Sequence, residues 1–352
     1  MAERPRVAVI VLTHADNART YLEACHRSLA QQTYPAERFR LFIVGNGVGP
    51  EILALIARVA PGACVLEHPE NLGWSGGNNR AVAAAWRESF DYFVMLNIDT
   101  VVDREWLQAL VEAADARPQI HILQSVILLD GTGRTQSLGN RIQYLGYGYC
   151  NGYGRDRSNP PRHAPIDYAS GAAMLVKREV FDTVGLFRDD YFMYHDDMEF
   201  CWRARLAGFN VGLVDESICH HKYDFEARLP MLYYFQRNRL LTLFTLERLG
   251  TIAVTAPCLI VSEVIVGCYF ITRGWGATVW RVLRYFLRLE TWTRIVSRRR
   301  QIRRLRVRSD AEIVRGFAGA VVFAEVDSPA MRYVFNPLLR LYWACARVFI
   351  VW

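Results

Sequence analysis

Short apolar runs alternate with amphipathic stretches through the first half of this 352-residue chain. Apolar runs of four to eight residues predict strands, and amphipathic stretches predict helices. Their alternation predicts an α/β domain in which helices flank a mostly parallel sheet. The predicted strands are Val7–Leu12, Phe39–Val44, Cys64–Glu67, Tyr92–Leu96 and Ile120–Leu129, and the predicted helices are Tyr21–Gln31, Glu51–Val59, Ser75–Glu88 and Arg104–Ala116.

Polar residues follow several of these strands. Thr13 and Asn46 come after the first two strands, and Asn97-Ile98-Asp99 follows the strand that begins at Tyr92. Ligands bind beyond the carboxyl ends of the strands in such sheets. We therefore expect these residues on one ligand-binding edge. The segment 130–165 is rich in Gly, Tyr, Arg, Asn and Pro, which predicts a long mobile loop that serves as a lid or acceptor site.

A compact set of reactive side chains lies further along the chain. Asp196 and Asp197 precede the amphipathic segment Met198–Leu206, and the apolar run Val211–Val214 leads to the pair His220 and His221. A general base, a helix, a strand and a candidate metal ligand thus share one short unit. Together with Asp99, oxygen ligands and a remote histidine suit a divalent cation that holds a phosphate.

The last third of the chain is apolar and rich in arginine. Ile252–Ile271 contains only Glu263 as a charged residue and is long enough to cross a bilayer. Thirteen arginines lie from Arg273 to Arg315, against three acidic residues, and the net charge is +7. Because a single crossing would place the arginines outside, we favour a helix lying in the cytoplasmic face, with the predicted helix Arg281–Arg308 on anionic headgroups.

The arginine-rich block is also compatible with two roles away from a membrane. Nucleic-acid binding is the obvious rival, but tryptophan and tyrosine mixed with aliphatic residues favour a lipid interface. An amphipathic helical domain for oligomerisation is the third possibility, and the oligomeric state is not defined by the sequence. The eight cysteines have no regular spacing, which indicates reduced thiols of a cytosolic protein, and the N-terminus lacks the apolar core of a signal peptide.

Four blocks in order resemble a known family. They are VAVIVLTHADN, HPENLGWSGGNNRA, MLNIDT and the long block from Ser170 to Phe209, with its trailing histidine. They resemble the inverting nucleotide-sugar glycosyltransferases of family 2, which have the GT-A fold, and the rhamnosyltransferase-like enzymes of bacterial surface-polysaccharide assembly in particular. The helix YYFQRNRLLTLF and the arginine-rich tail more weakly resemble a membrane-associated extension. The resemblance implies a GT-A catalytic domain at 1–228 and a helical membrane-associating region at 229–352.

The resemblance also implies roles for the acidic residues. Asp197 matches the catalytic base of the family and Asp196 its acidic neighbour, which is able to raise the pKa of the base. Asp99 matches the metal-binding member of the DxD element, and His221 completes a Mn or Mg site. Only one of His220 and His221 reaches that site, because adjacent residues of a strand point to opposite faces. The plain alternatives are aspartates that cap helices and surface histidines that end a strand.

The remaining roles implied by the resemblance concern the donor. A dTDP-, UDP- or GDP-linked sugar is the expected donor, and a lipid-linked or growing glycan is the expected acceptor. The alternative, from another class, is a non-catalytic nucleotide-sugar-binding or anchoring subunit of an assembly complex. The glycines are expected to let the backbone approach the nucleotide. The implied substrate-binding residues are Thr13, Asn46, Asn71, Gly73, Gly77, Asn78, Asn97, Ser170, Gly171 and Trp202.

Overall fold

The predicted alternation of strands and helices is confirmed in the first half of the chain. The computed structural model describes residues 4–156, 166–223, 231–322 and 328–352. The strands are β1 (Val7–Thr13), β2 (Phe39–Asn46), β3 (Cys64–His68), β4 (Tyr92–Asn97), β5 (Thr100–Val102), β6 (Ile122–Leu129), β7 (Thr135–Ser137), β8 (Asn140–Ile142), β9 (Gly148–Cys150), β10 (Ala173–Lys177) and β11 (Val211–His221). The helices are α1 (Ala15–Ala30), α2 (Pro50–Val59), α3 (Gly73–Trp86), α4 (Trp106–Ala116), α5 (Arg178–Val184), α6 (Asp196–Leu206), α7 (Leu232–Leu246), α8 (Leu249–Thr272), α9 (Gly276–Leu287), α10 (Leu289–Leu305), α11 (Asp310–Val314) and α12 (Asn336–Ala346).

Within the described ranges, the main sheet is mixed rather than mostly parallel. Its strand order is β3-β2-β1-β4-β10-β6-β11-β5, and β7 pairs with β6. The strands β3, β2, β1 and β4 are parallel, as predicted. However, β10 is antiparallel to both of its neighbours, β4 and β6. The predicted parallel order thus holds for β3, β2, β1 and β4 and for β6 and β11, whereas β10 between β4 and β6 runs in the opposite direction.

This topology gathers the ends of five strands at one edge. The carboxyl ends of β1, β2 and β4 meet there because these strands are parallel. The reversed strand β10 brings its beginning to the same edge, with Ala173 opposite Leu96. The strand β11 is parallel to β6 and ends beside β5, with His221 opposite Thr100. Segments far apart in sequence thus converge on one edge.

The apolar runs account for the interior of the sheet. Residues 7–11 of β1 are all buried, as expected for a central strand covered on both faces. The helices α1 and α4 pack over the same core through residues such as Leu22, Trp106 and Leu110, each at most 2% exposed. Burial of apolar surface contributes roughly 25 cal/mol per Å², so this core holds the edge that carries the site.

Part of the expected loop 130–165 is ordered. The strand β7 pairs with β6, and β8 pairs with β9 in a separate two-stranded sheet. Gly139 and Gly146 both have φ of 83°, a backbone conformation that glycine adopts without strain. The expectation of one long loop was therefore wrong up to residue 156, and residues 157–165 lie outside the described part of the chain.

The chain divides into two compact units. The first comprises Met1–Asn140, Cys150–Ala204 and Phe209–Tyr223. The second comprises Arg141–Tyr149, Arg205–Gly208 and Asp224–Trp352. The predicted domain boundary at residue 228 lies outside the described residues. The second unit is largely helical, in agreement with the expected helical C-terminal region.

The arginine-rich segment is two helices rather than one. The helix α9 ends and α10 begins around Arg288, whose φ and ψ of −78° and 131° are extended. The predicted single helix Arg281–Arg308 was wrong because no glycine or proline marks this break in the sequence. The helix α7 ends at Leu246, and α8 begins at Leu249.

The helix α8 is long and apolar enough to cross a membrane, and only 17% of its most apolar window is buried. The helix continues through Pro257. Its acidic residue Glu263 is not an isolated charge, because it forms a salt bridge with Arg239 of α7, whose side chain is fully buried.

Candidate active site

Asp196 and Asp197 are the first residues of α6 and follow a strained segment. Phe192, Tyr194 and His195 have φ values of 65°, 63° and 61°. Residues other than glycine rarely adopt this left-handed conformation, and such strain clusters at functional sites. The strained backbone delivers the acidic pair to the start of the helix.

Both carboxylates are held in fixed orientations. Asp197 accepts hydrogen bonds from the backbone N–H of Gly171, at 3.0 Å, and from that of Met198, at 2.7 Å. Asp196 accepts a hydrogen bond of 2.9 Å from the hydroxyl of Ser75 in α3. The pair is thereby tied both to the start of β10 and to α3.

The two carboxyl groups differ in their electrostatics. Burial raises the pKa of Asp197, and backbone N–H groups oppose that rise. Burial also raises the pKa of Asp196, which the nearby charge of Asp197 raises further. Ionisation of either carboxyl group therefore disfavours ionisation of the other. The predicted influence of Asp196 on the pKa of Asp197 stays a prediction.

Gly171 connects the acidic pair to the end of β4. A Cβ at Gly171 would lie 2.4 Å from Cζ2 of Trp74, so only glycine fits beneath this ring. The indole N–H of Trp74 donates a hydrogen bond of 3.1 Å to Oδ1 of Asn97. Because Asp197 binds the N–H of Gly171, this chain of contacts places the predicted base and Asn97 in one neighbourhood.

Asp99 and His221 face each other across the ends of β4 and β11. The distance from Nε2 of His221 to Oδ1 of Asp99 is 3.2 Å. Nδ1 of His221 lies 2.8 Å from Oε1 of Gln136, an acceptor that directs the proton of the ring to Nδ1. His220 instead contacts Asp103, with its Nε2 3.0 Å from Oδ1. The alternation along β11 thus brings His221, and not His220, to Asp99.

The Asp99–His221 pair fits a divalent cation. Nε2 of His221 is buried and makes no hydrogen bond within the described residues, and it lies beside the carboxylate of Asp99. Hydrogen bonding of the other ring nitrogen to a fixed acceptor is typical of metal-ligating histidines. Among the described residues no third His, Cys, Asp or Glu completes a protein-only site. Two protein ligands suit a cation that is also bound by phosphate oxygens.

Asn46 and Asn71 fix the loop before α3. Asn46 donates to Oδ1 of Asn71, at 2.8 Å, and accepts from the N–H of Leu72, also at 2.8 Å. Oδ1 of Asn71 also accepts from the N–H of Gly73 at 2.8 Å. Because Asn46 is only 3% exposed, its side chain serves to hold this loop in place through these hydrogen bonds.

The glycines of the loop make room for protein atoms. A Cβ at Gly73, whose φ is 69°, would lie 2.2 Å from the carbonyl oxygen of Phe192. A Cβ at Gly77 would lie 2.2 Å from Cδ1 of Leu12. The expected reason for these glycines was space for the nucleotide. The structure gives a different reason, which is close packing of α3 against the strained segment and against β1.

Several predicted substrate contacts lie in the interior. Trp202 and Thr13 are 0% exposed and Asn78 is 2% exposed. Thr13 donates a hydrogen bond of 3.0 Å to Asn17. The assignment of Trp202 to substrate binding is corrected, because a side chain without accessible surface packs in the core. Direct contact with a donor stays a prediction for the partly or fully exposed residues Asn71, Asn97 and Ser170.

Comparison with known proteins decides the family. The chain matches the description "Glycosyl transferase family 2" over residues 8–185, which is more than half of its length. The matched range contains β4, β10 and all of β1 except Val7. The chain belongs to glycosyl transferase family 2. The resemblance inferred from the four sequence blocks is thereby confirmed.

Two curated relatives of this family 2 protein are named as a hexosyltransferase and a rhamnosyltransferase. The low-salt glycan biosynthesis hexosyltransferase Agl10 of Haloferax volcanii is 26% identical over 178 residues, covering 49% of this chain and 57% of that protein. An N-acetylglucosaminyl-diphospho-decaprenol L-rhamnosyltransferase of Mycobacterium tuberculosis is 24% identical over 259 residues, covering 66% of this chain and 83% of that protein. The chain thus spans little more than half of the haloarchaeal relative.

Solved structures confirm the GT-A fold of the family 2 chain. One match is the Pyrobaculum calidifontis mannosyltransferase PcManGT in complex with GDP-Man and Mn²⁺. This match has a TM-score of 0.51 at 15% identity and covers 100% of this chain and 88% of the mannosyltransferase chain. GalNAc-T7 with UDP, GalNAc and Mn²⁺ has a TM-score of 0.56 and 13% identity and covers 73% of this chain and 51% of that one. At these identities the likeness concerns the fold alone.

Sequence reasoning missed four residues of this family 2 site. Ser75 binds Asp196, Gln136 binds His221, and Trp74 joins Gly171 to Asn97. Gln124 accepts a hydrogen bond of 2.7 Å from the N–H of Ser170. Trp74 and Ser75 lay inside a block that carried the resemblance, so their position was a usable signal. Gln136 gave no signal, because it lies in the segment expected to be a loop.

Proposed function

We propose that this protein is an inverting, metal-dependent glycosyltransferase that moves a sugar from a nucleotide-diphospho-sugar to a lipid-linked or growing glycan acceptor at the cytoplasmic face of the membrane. The observation that carries the proposal is the chain of contacts from Asp197 through Gly171 and Trp74 to Asn97, two residues before Asp99. A candidate base and a candidate cation site therefore share one edge of the sheet. Membership of family 2 supports the reaction class.

Asp197 serves as the general base. Its carboxylate takes the proton of the acceptor hydroxyl while the acceptor oxygen forms a bond to the anomeric carbon and the bond to the nucleoside diphosphate breaks. Attack from the face opposite the leaving group inverts the anomeric configuration. Two backbone N–H groups fix the orientation of the carboxylate, and burial raises its pKa above the ordinary carboxyl range. Asp196 positions α6 against Ser75.

Asp99 and His221 are the residues that would hold Mn²⁺ or Mg²⁺. When bound, the cation supplies positive charge to the leaving diphosphate. Gln136 keeps the proton of His221 on Nδ1, so that Nε2 is available as a ligand. Mn²⁺ in two structures with the same fold supports a divalent cation in this site.

The relatives support the substrate class. One is named for transfer of L-rhamnose to a diphospho-decaprenol-linked acceptor and another for transfer of a hexose. The fold neighbours contain UDP or GDP-Man, so dTDP-, UDP- and GDP-sugars are all suitable donors to test. A lipid-linked acceptor also agrees with the apolar helix α8, which is mostly exposed in the described chain.

A donor panel tests the proposal. The purified protein is titrated with dTDP-, UDP- and GDP-sugars in the presence of Mn²⁺ or Mg²⁺, and thermal unfolding is followed, since a donor at about 100 times its Kd stabilises the fold by about 2.7 kcal/mol. The best donor is then incubated with a lipid-linked saccharide, and the anomeric configuration of the product is assigned by NMR. A donor-induced shift with no hydrolysis and no transfer would favour the non-catalytic binding subunit.

A further inference from the structure

An open cleft lies between α7 and α9, within the second unit. It has a volume of about 160 Å³ and is lined by Tyr233, Arg281, Arg284, Tyr285 and Arg288. None of these residues belongs to the candidate active site. Three guanidinium groups and two phenol rings make this a cleft for an anion, because arginine presents several N–H donors in a planar fork that matches phosphate oxygens.

The arginines of the cleft are placed for an external ligand. Arg281, Arg284 and Arg288 recur at i, i+3 and i+7 along α9 and its C-cap, so they share one face. All three are exposed, and within the described ranges none forms a salt bridge with a carboxylate. The guanidinium of Arg281 lies 4.1 Å from the ring centroid of Tyr233, which fixes its position.

A buried cation strengthens the positive potential behind the cleft. Arg237 is only 7% exposed. Its guanidinium lies 5.3 Å from the ring centroid of Tyr233 and 5.2 Å from that of Tyr285. The two rings that line the cleft therefore have a guanidinium on their inner side, and a fourth positive charge acts on any anion in the cleft.

An apolar face lies beside the arginine face. Trp280, Leu283 and Leu287 are 61%, 53% and 76% exposed. They too recur at i, i+3 and i+7, each one residue before an arginine of the cleft, so the two faces of α9 adjoin. Exposed tryptophan and leucine next to arginine are typical of a helix that lies in the membrane interface. The two faces match the two ends of a phospholipid.

We propose that this cleft binds the phosphate of an anionic membrane phospholipid, while Trp280, Leu283 and Leu287 enter the acyl region beside it. The proposal rests on the membrane-facing part of the proposed function and adds a specific headgroup site to it. The phosphate accepts hydrogen bonds from Arg281, Arg284 and Arg288, and the inserted side chains keep the helix at the depth of the headgroups. The phosphates of a nucleic acid would also bind these arginines, but a nucleic acid would leave the exposed leucines without an apolar partner.

A pair of matched triple variants tests the proposal. The first replaces Arg281, Arg284 and Arg288 by alanine, and the second replaces Arg300, Arg303 and Arg304 of α10, which are also exposed. Both lose three positive charges, so non-specific attraction falls equally. Binding of the full chain is measured by flotation with phosphatidylcholine vesicles that contain either phosphatidylglycerol or an equal charge density of oleate. Glycerol phosphate as a competitor distinguishes a free phosphate from a lipid headgroup.

We expect the α9 triple variant to lose at least tenfold in binding to phosphatidylglycerol vesicles and the α10 triple variant less than threefold. The difference in binding between the two variants should be smaller on vesicles that contain oleate. Millimolar glycerol phosphate should displace little protein from the phosphatidylglycerol vesicles. Equal losses for the two variants, or an equal preference for oleate, would overturn the headgroup site. The headgroup site would also be overturned if the α9 triple variant lost more binding to single-stranded RNA than to phosphatidylglycerol vesicles.

The design separates failure of this site from failure of the proposed function. The residues of the candidate donor site belong to the first unit, so the donor-induced thermal shift should survive in both variants. If the alanine variant of α9 does not fold, the corresponding lysine triples are compared instead, because lysine keeps the charge but loses the planar fork. The α9 lysine triple should then bind several-fold more weakly than the α10 lysine triple; equal binding would overturn the site.

Discussion

The acidic pair divides two tasks between neighbouring residues. Asp197 is oriented by backbone N–H groups, whereas Asp196 is tied to Ser75 and has its pKa raised by burial and by the charge of Asp197. A carboxyl group that resists ionisation in the folded protein binds a proton more tightly there than in the unfolded chain. Its contribution to stability is present below the ordinary carboxyl pKa of about 4 and is lost as the pH rises through the raised value.

Asp196→Asn should therefore stabilise the protein at alkaline pH. Asparagine has the shape of the protonated carboxyl group and does not ionise. The difference in the free energy of unfolding between variant and parent should be small at pH 4, should grow to about 1–3 kcal/mol as the pH rises to about 7, and should then level off. Urea unfolding across that pH range measures it. A difference that does not change with pH would show that Asp196 ionises freely. Transfer should stay within about tenfold of the parent.

The metal pair makes a second prediction at the scale of single residues. Asp99→Ala should weaken donor binding when metal is present and hardly change binding of a free nucleoside. His221→Ala should act in the same direction but more mildly. Gln136→Leu should lower metal affinity by roughly tenfold, because His221 loses the acceptor that orients it. His220→Ala is the matched control and should be near neutral. Isothermal titration of each variant with Mn²⁺ and donor measures these affinities. A larger loss of metal affinity for His220→Ala than for His221→Ala would show that His220 is the metal ligand.

At the scale of elements, α3 and the strained segment before α6 depend on one glycine. The N–H groups of Trp74 and Ser75 both point to the carbonyl oxygen of Phe192, at 2.5 Å and 3.4 Å. Gly73 permits this approach, since any Cβ would meet the same oxygen. The start of α3 and the position of the acidic pair are therefore coupled.

Gly73→Ala should destabilise the fold by more than about 2 kcal/mol and reduce transfer, because it adds a clash to backbone strain. Gly131 is the matched control: its φ is also 69°, but a Cβ there would meet nothing within 4 Å. Gly131→Ala should introduce the strain alone, about 1 kcal/mol. Comparing the two free energies of unfolding isolates the clash. Equal losses would mean that the contact with Phe192 is not tight in solution.

The elements also show how far the sequence leads. The strands from β1 to β4 and their helices follow from period and composition, because each is a continuous apolar run or an amphipathic stretch. The reversal of β10 depends on a long connection whose path no local pattern encodes. The break at Arg288 has no glycine or proline to mark it. The choice of His221 over His220 was predictable from strand alternation, but the bond from Gln136 joins residues 85 apart in sequence.

At the scale of the whole molecule, the C-terminal helices add a surface that is both apolar and basic. The exposed aliphatic residues of α8, such as Ile260, Val264 and Ile271, are 63%, 61% and 60% exposed. Of the arginines of α10, Arg299 donates to the carbonyl of Phe244 at 2.6 Å and is partly buried, so it serves packing. Arg300, Arg303 and Arg304 stay exposed for attraction to anionic lipid.

High salt alone should therefore fail to extract the protein from membranes, whereas detergent should succeed. Salt screens the arginines but does not reverse apolar insertion. Fractionation at roughly 1 M salt, where the screening length is only about 3 Å, and with a mild detergent measures this. Complete release by salt would show that the apolar residues of α8 do not enter the membrane.

The side of the membrane is tested by labelling. The exposed Cys268 and Cys345 are replaced by serine, and one cysteine is introduced near Arg300. An impermeant thiol reagent applied to intact cells should leave it unlabelled, because the arginine-rich helix is expected on the cytoplasmic face. Labelling from outside would contradict this placement and require a true membrane crossing.

The rate of sugar transfer by Asp197→Asn tests the central claim most directly. Asparagine keeps the shape of the side chain but cannot take the proton of the acceptor, and loss of a general base typically lowers the rate by about 10²–10⁴-fold. The variant should therefore bind the donor and metal as the parent does while single-turnover transfer to the acceptor falls by at least about a hundredfold. Transfer within a few-fold of the parent would contradict the account, because Asp197 would then not be the base.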